Sequence, residues 1–429
     1  MAKLLPRKID AVAPVSCLCS RFGALRVLFV WTCLLWAGAV YAQATGSGVE
    51  LKLQTQALWP RTGGTLQEST GVNTLFVNAT MRIKQSFRQG RWDYNLHYLA
   101  SGVYSENYTS WSAAIPQVQA PRYFDWRRVI LDKADGEMAH TLDRASMRYT
   151  SDYTVIRIGR QALTWGHGQI FHPMDLFNPF SPYASDTANK SGTDMVYGQY
   201  LFPSGSDVQV LAVPRRNSNA IVTAEQSSLA AKAMWFSGSI ETTVLVARDR
   251  RDDVGAVGAS GPWGGAVWKM DVLNSRTQEG DAVLSAVTSV HNSWDWRQKP
   301  LNAFVEYYRN GYGVDDSRAF DRLPPALMTR LLRGQVFNTG RDYVATGMML
   351  AWTPLLQLQP SFMVNANDGS GLLRMRADYN LSDSMNLIVD IQIPFGSLGS
   401  EFGGRKWITG SEQYESIVRA LLIRLEWYL

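Results

Sequence analysis

The sequence predicts an all-β fold: a transmembrane antiparallel β-barrel of about 18 (16–18) strands with long extracellular loops. Three observations carry that prediction. Apolar and polar residues alternate along many segments, those segments commonly run to 10–14 residues, and tight turns alternate with long loops.

The alternation is plain in residues 75–84. Leu75, Val77, Ala79, Met81 and Ile83 are apolar, while Asn78, Thr80, Arg82 and Lys84 between them are polar. The same pattern recurs at Trp92–Ala100, Leu373–Tyr379, Met385–Ile393 and Leu421–Leu429. Side chains of a strand point to opposite faces with period two, so each segment reads as a strand with one apolar and one polar face. Strands in soluble sheets run to roughly 5–6 residues, whereas a strand tilted across a bilayer needs roughly 9–11. Aromatic residues near the predicted strand ends suit girdles at two membrane interfaces: Trp59, Trp92, Tyr104, Tyr149, Tyr153, Tyr197, Tyr200, Trp294, Trp296, Tyr307, Tyr308, Tyr343, Trp427 and Tyr428.

The predicted strands are 49–59, 73–88, 91–104, 141–150, 153–161, 193–203, 206–213, 229–237, 239–249, 254–260, 264–274, 281–294, 300–310, 341–353, 355–365, 370–380, 384–394 and 415–429. Val254–Ser260 carries the weakest pattern, and its loss with a neighbour would give sixteen strands. Tight turns fall at 88–91, 151–152, 203–206, 296–299 and 381–384, and long loops at 60–72, 105–141, 162–192, 311–340 and 395–415. Short periplasmic turns with longer outer loops are the habit of membrane barrels, and an even strand count puts both termini on the periplasmic side. In lipid only closure satisfies every backbone group, and a barrel of this size keeps a lumen unless loops fill it.

Residues 1–44 read as a cleaved signal peptide, with 45–429 as a single barrel domain. A basic stretch ends at Arg26, an uncharged apolar run covers Val27–Val40, and small residues place cleavage after Ala42 or Ala44. The apolar run is too short for a membrane helix of roughly 20 residues. All three cysteines (Cys17, Cys19, Cys33) lie in this leader, so the body excludes thiol catalysis, cysteine-ligated zinc and a disulfide framework. The leader also carries the excess of positive charge. Without its five basic residues and Asp10, 37 basic residues stand against 36 acidic ones, and the net charge of +5 is no sign of nucleic-acid binding.

Arg82, Arg374, Arg376 and Arg424 alternate with apolar positions and are the candidate pore-lining cations. Glu306, Asp378, Asp390 and Glu426 are the candidate carboxylates opposite them. Such rows would set a transverse field across a pore, although the same residues could simply satisfy one another in a structural network. Arg160 falls on the other parity, which places it beyond the lipid band. Segment 162–192 is long, aromatic and nearly uncharged, ill suited to project into water. It is expected to fold into or over the lumen, as a constriction or partial plug built around Trp165, His167, Phe171, His172 and Asp175, the alternative being that it packs against other outer loops. Two histidines and an aspartate could ligate zinc, but their spacing is not that of one helix face, and no metal is expected. Asn367-Asp368-Gly369-Ser370 reads as a tight turn rather than a calcium loop. With five histidines, no serine in a nucleophile motif, no P-loop and no dinucleotide fingerprint, neither catalysis nor a cofactor is expected.

Two stretches carry a resemblance: Ile158-Gly159-Arg160-Gln161, Trp165-Gly166-His167-Gly168 and Phe171–Phe180, and Asn365–Leu373 with Gly399–Gly403. They resemble the poorly characterised porin-like outer-membrane barrels of Gram-negative bacteria that carry a GRQ…WG…P-D segment. More distantly, the chain is similar to barrels of the alginate-export type. The resemblance covers most of the chain from about residue 140 and implies architecture more than cargo. One departure is the last residue: such barrels usually end in Phe or Trp, and here Leu429 stands two places after Trp427.

These readings lead to an outer-membrane channel for small hydrophilic solutes, its selectivity set by the charged rows and segment 162–192. Two alternatives stay open: an outer-membrane exit duct with a periplasmic exporter partner, and a plugged barrel acting as a surface receptor or structural protein. The expected surroundings are outer-membrane lipid, lipopolysaccharide and the barrel-assembly machinery, with no nucleic-acid partner.

Overall fold

The computed structural model describes residues 46–61, 64, 73–114, 122–316, 318–406, 408–415 and 417–429; the expected leader and cleavage site fall outside the described residues. Eighteen strands form the wall. They are β1 (Gly46–Trp59), β2 (Thr74–Gln89), β3 (Trp92–Tyr104), β4 (Gly136–Thr150), β5 (Thr154–Gln161) and β6 (Thr193–Leu201). Next come β7 (Asp207–Val213), β8 (Ser228–Ser237), β9 (Ile240–Asp249), β10 (Asp252–Trp263), β11 (Ala266–Arg276) and β12 (Ala282–Trp296). The wall is completed by β13 (Lys299–Arg309), β14 (Asp342–Ala351), β15 (Leu356–Asn365), β16 (Gly371–Ser382), β17 (Met385–Phe395) and β18 (Arg419–Tyr428).

Each strand pairs antiparallel with its neighbours, and β18 returns to β1 with Leu53 opposite Leu425, so the sheet is closed. Closure leaves no edge strand in the wall, which is what a bilayer demands of a sheet. The weakly patterned segment around 254–260 is the full strand β10. Leu429 continues the wall by exchanging backbone hydrogen bonds with Val49 at 2.9 and 2.8 Å.

The connections sort by end. Strands β2–β3, β4–β5, β8–β9, β10–β11 and β12–β13 join through tight turns at one end, while 60–73, 105–135, 162–192, 310–341 and 396–418 leave from the other. The outward face is apolar, with Leu53, Leu96, Ile158, Val210, Val246, Val305 and Met375 all exposed. Exposed aromatics concentrate at the tight-turn end: Trp92, Tyr153, Tyr200, Phe236, Trp263, Trp294, Trp296, Trp352 and Tyr379. Fewer stand toward the long-loop end, Trp59 and Tyr307 among them, so of the two girdles expected the tight-turn one is the denser. Three aromatics assigned to a girdle face inward instead: Tyr197, Tyr308 and Tyr343 are buried against segment 162–192 or its surroundings.

The long loops carry structure the alternation could not reveal. Helix α1 (Tyr108–Ala114) sets Trp111 over the inner face at Leu58 and Ala420, with its Nε1 donating to Thr74 at 2.8 Å. A short strand, Arg128–Lys133, pairs with the loop-side extension of β4. Helix α2 (Pro325–Leu332) buries Leu327 in a small cluster of its own. Arg160 sits on the outward parity near the loop end of β5, yet it is buried. Asp194 on β6 accepts from it at 2.8 Å, and Trp126 covers its guanidinium at 4.7 Å.

Candidate functional site

Segment 162–192 lies inside the barrel and crosses it from wall to wall. It has no regular secondary structure, so its backbone groups need partners that a lumen without a ladder does not supply. Inward-facing side chains of the strands provide them, and they do so by polarity.

On one wall the partners are acids. Glu306 of β13, fully buried, accepts from the N–H groups of Gln169, Ile170 and Phe171 at 2.6, 2.9 and 2.9 Å. Asp271 of β11 accepts from the N–H of His167 at 2.7 Å and faces its Nδ1 at 2.6 Å, while Glu241 of β9 faces its Nε2 at 3.0 Å. The Asp271 carboxylate, helped by Glu241, holds the His167 pKa above its ordinary value against the opposing pull of burial. The pair fits because Gly258 of β10 has no side chain: a Cβ there would lie 2.5 Å from Asp271 Oδ1 and 2.9 Å from the imidazole. Trp165 donates from Nε1 to Gln209 of β7 at 2.8 Å and meets Phe177 edge-on, and Phe171 stacks on Tyr308 at 4.5 Å.

On the other wall the partners are bases. Arg374 donates to the carbonyl of Ala184 at 3.0 Å, and Arg376 and Arg424 donate to that of Ser185 at 2.9 and 3.3 Å. Gln392 of β17 reaches the carbonyl of Tyr183 at 3.3 Å. Lys52 of β1 pairs with Asp186 at 2.5 Å, and Glu50 accepts from Asn189 at 2.9 Å. Burial would raise the Asp186 carboxyl, but Lys52 and Arg424 outweigh it and hold it below the usual range.

The predicted charges thus come together, in two kinds of role. Arg374, Arg376, Arg424 and Glu306 bind the segment directly. Asp390 and Asp378 orient the arginines, with Asp390 taking Arg374 at 3.0 Å through Nε and Asp378 taking Arg376 at 2.8 Å. Glu426 joins Lys52 at 3.4 Å and Arg424 at 2.9 Å. Arg82 stands apart, paired with Asp143 of β4 at 2.5 Å. Asp175 is buried against Lys190, which also donates to the carbonyl of Leu163 at 2.5 Å; burial pushes the Asp175 carboxyl up to about 6 despite that neighbour. His172 is half-buried, and its Nδ1 has no hydrogen-bond partner among the described residues; burial, then Lys190, lowers its pKa. No cluster of three or more metal-ligating side chains forms among the described residues.

Sequence reasoning passed over Glu50, Lys52, Gln209, Glu241 and Asp271. Each had a signal: a charge or amide at the polar parity of an apolar strand, as in Met270-Asp271-Val272.

Below the segment lies a chamber of ≈ 690 Å³. Its wall is formed by inward residues of β12 to β16, among them His291, Asn302, Phe304, Gln359, Arg374 and Arg376, and the segment contributes Ile170, His172 and Phe180.

No family model and no curated protein matches the sequence. Solved structures do. OccK11 (OpdR) of Pseudomonas aeruginosa is 10% identical, with 89% of this chain and 96% of that one covered and a TM-score of 0.51. OccAB1 of Acinetobacter baumannii is 10% identical over 91% of this chain and 99% of that one, TM-score 0.51. Wzi of Escherichia coli, an outer-membrane protein involved in group 1 capsule assembly and a carbohydrate-binding β-barrel, is 10% identical over 94% and 86%, TM-score 0.51. The chain has the fold of outer-membrane β-barrel porins. That likeness is one of architecture; it leaves the resemblance of residues 158–180 to the GRQ…WG…P-D group, and the more distant one to alginate-export barrels, as expectations.

Proposed function

We propose that the protein is an outer-membrane channel for small hydrophilic solutes, with segment 162–192 as its constriction and the charged rows as its filter. One observation carries this reading: the segment crosses the lumen on fixed anchors while leaving a polar chamber of ≈ 690 Å³ beside it. A chamber of that size suits a small molecule and excludes a folded chain. The charged rows act twice, as anchors of the constriction and as the field a passing ion meets. The apolar outward face and the aromatic belt would sit in lipid, with the long loops toward lipopolysaccharide.

The test is single-channel conductance of the refolded protein in a planar bilayer under a salt gradient. Steady unitary steps support an open path, and the reversal potential reports which charge row dominates. Silence from a barrel verified as folded would sink the channel reading.

A second reading has its own observation. Loop residues interlock across the long-loop end: Glu401 accepts from the N–H of Thr339 at 2.6 Å and from Asn365 at 2.8 Å, and Arg405 reaches the carbonyl of Arg318 at 2.7 Å. Loops tied together in this way would suit a barrel that presents a surface for binding, as Wzi binds carbohydrate, rather than a conduit. The same bilayer experiment separates the two.

A further inference from the structure

The seam between β14 and β15 is interrupted. Its ladder runs from Tyr343 opposite Asn365 to Gly347 opposite Ser361, and resumes at Leu350 opposite Leu358 in the same register. The pairs it skips are Met348 with Pro360 and Met349 with Gln359. Among the described residues no other seam of the wall skips pairs without a change of register.

Pro360 is the cause. It is the fifth of the ten residues of β15, whereas Pro262, Pro300 and Pro394 each stand one residue from the end of their strands. Proline has no N–H to give, and in sheets it is otherwise confined to edges, first residues and bulges. The ladder of β15 with β16 is unbroken through Gln359, Pro360 and Ser361. The missing N–H is therefore the one that would point at β14 and at the carbonyl of Met348. A carbonyl without its donor is costly in hydrocarbon, where no water replaces the bond.

Hollows stand on both faces of the gap. Inside is the chamber of ≈ 690 Å³. Outside, on the lipid face, is an apolar hollow of ≈ 270 Å³ between Leu350, Leu358, Met375, Ala377, Val389 and Ile391. Met348, Pro360 and Arg376 border both, so the interrupted stretch is the partition between them. Its β14 side is soft. Gly347 has no side chain, and Met348 and Met349 are unbranched chains that repack readily.

We propose that this seam is a lateral passage between the chamber and the bilayer for a small, uncharged, apolar molecule that carries one hydrogen-bond donor. The apolar body slips between the two methionines and the proline and rests in the outer hollow. Its donor takes the place of the missing N–H at the Met348 carbonyl. The passage goes beyond the channel reading: movement along the axis and movement through the wall are separate events.

N-phenyl-1-naphthylamine has the required chemistry, aromatic rings with a single N–H, and it fluoresces on entering an apolar membrane interior. Cells whose outer membrane carries the full-length barrel are expected to take it up several-fold faster than cells without it. Pro360→Val supplies the missing N–H, keeps an apolar surface and should return uptake to that background. Met349→Cys with Gln359→Cys leaves Pro360 in place; this pair should close the seam when oxidised and reopen it on reduction, since no native cysteine follows residue 33. Heat-modifiable migration on gels confirms that each variant is folded. Single-channel conductance should be the same in the wild type and in Pro360→Val. Background uptake by the folded wild type, or uptake that survives both Pro360→Val and the oxidised cysteine pair, would overturn the proposal; the second result would put the probe on the axis. A barrel that conducts without seam-dependent uptake defeats this proposal alone. One that passes the probe through the seam but never conducts defeats the channel reading alone.

Discussion

The two halves of segment 162–192 are held by opposite means. Residues 167–171 offer N–H groups to carboxylates, and residues 183–185 offer carbonyls to guanidiniums and an amide. An irregular strap inside a barrel must satisfy its backbone from the walls, and here each wall supplies the charge matching the groups that face it. The halves also differ in how the load is shared. Glu306 alone takes three N–H groups, whereas Ser185 has two guanidiniums and its neighbours one donor each. In the first half three of the four N–H groups fall to one side chain, with Asp271 taking that of His167, and in the second the load is distributed over four side chains.

The largest effect should follow from removing the contrast altogether. Replacing residues 166–188 by a short Gly-Ser linker should raise unitary conductance several-fold, since a barrel of eighteen strands without a lumen-filling loop is wide. Unchanged conductance would show that the strap does not set the narrowest passage. Next comes Glu306→Ala, which leaves three N–H groups in the interior without an acceptor, at about 1–3 kcal/mol for each that water fails to reach. The strap should come off that wall: protease cutting within 165–180 of the refolded barrel should rise sharply, and the open-channel current should become noisy. Arg376→Gln is expected to do much less. Asp378 keeps Gln359, at 2.8 Å, and Ser185 keeps Arg424, so the loss is about 1 kcal/mol or below. If Arg376→Gln loosens the strap as much as Glu306→Ala, the distinction between concentrated and distributed anchoring is wrong.

The wall was legible because a strand announces itself by a local period. Leu75 to Lys84 alternates whatever lies opposite, and even the faint pattern at 254–260 marked a true strand, β10, that extends to Asp252–Trp263. Inward direction of Arg374, Arg376 and Arg424 followed from the same parity. What they touch did not, because the partner carbonyls at 184 and 185 are distant in sequence and belong to a segment with no period. Tyr308 and Tyr343 show the limit from the other side. Position near a strand end marked them for the membrane interface, yet parity turns them inward, where Phe171 fills the space between. Helices α1 and α2 were hidden for another reason: each is short, and each is stabilised by tertiary packing, α1 on the wall at Leu58 and Ala420 and α2 mainly on its own loop, rather than by its own sequence.

The smallest effect separates the two halves by pH. His167 is the titratable contact of the first half that changes charge near neutrality, and both of its ring nitrogens face carboxylates, which favours the doubly protonated ring. Beyond those two carboxylates, Lys232 on β8 lies 5.7 Å over the neighbouring Trp165 ring and within electrostatic reach of both Glu241 and Asp271. Its folded pKa lies above the ordinary value of about 6.5. A raised pKa contributes stability that is complete below the unfolded value and disappears as pH climbs through the folded one. The strap should therefore be held more firmly at pH 6 than at pH 9, with protease cutting within 165–180 rising over that interval. The guanidinium anchors of residues 184 and 185 do not titrate there, so cutting on the far side of the strap should stay level. In His167→Gln the amide cannot gain or lose charge, and the pH dependence should flatten. A profile that rises equally in the wild type and in His167→Gln would place the titrating group elsewhere and remove His167 from the anchoring of the first half.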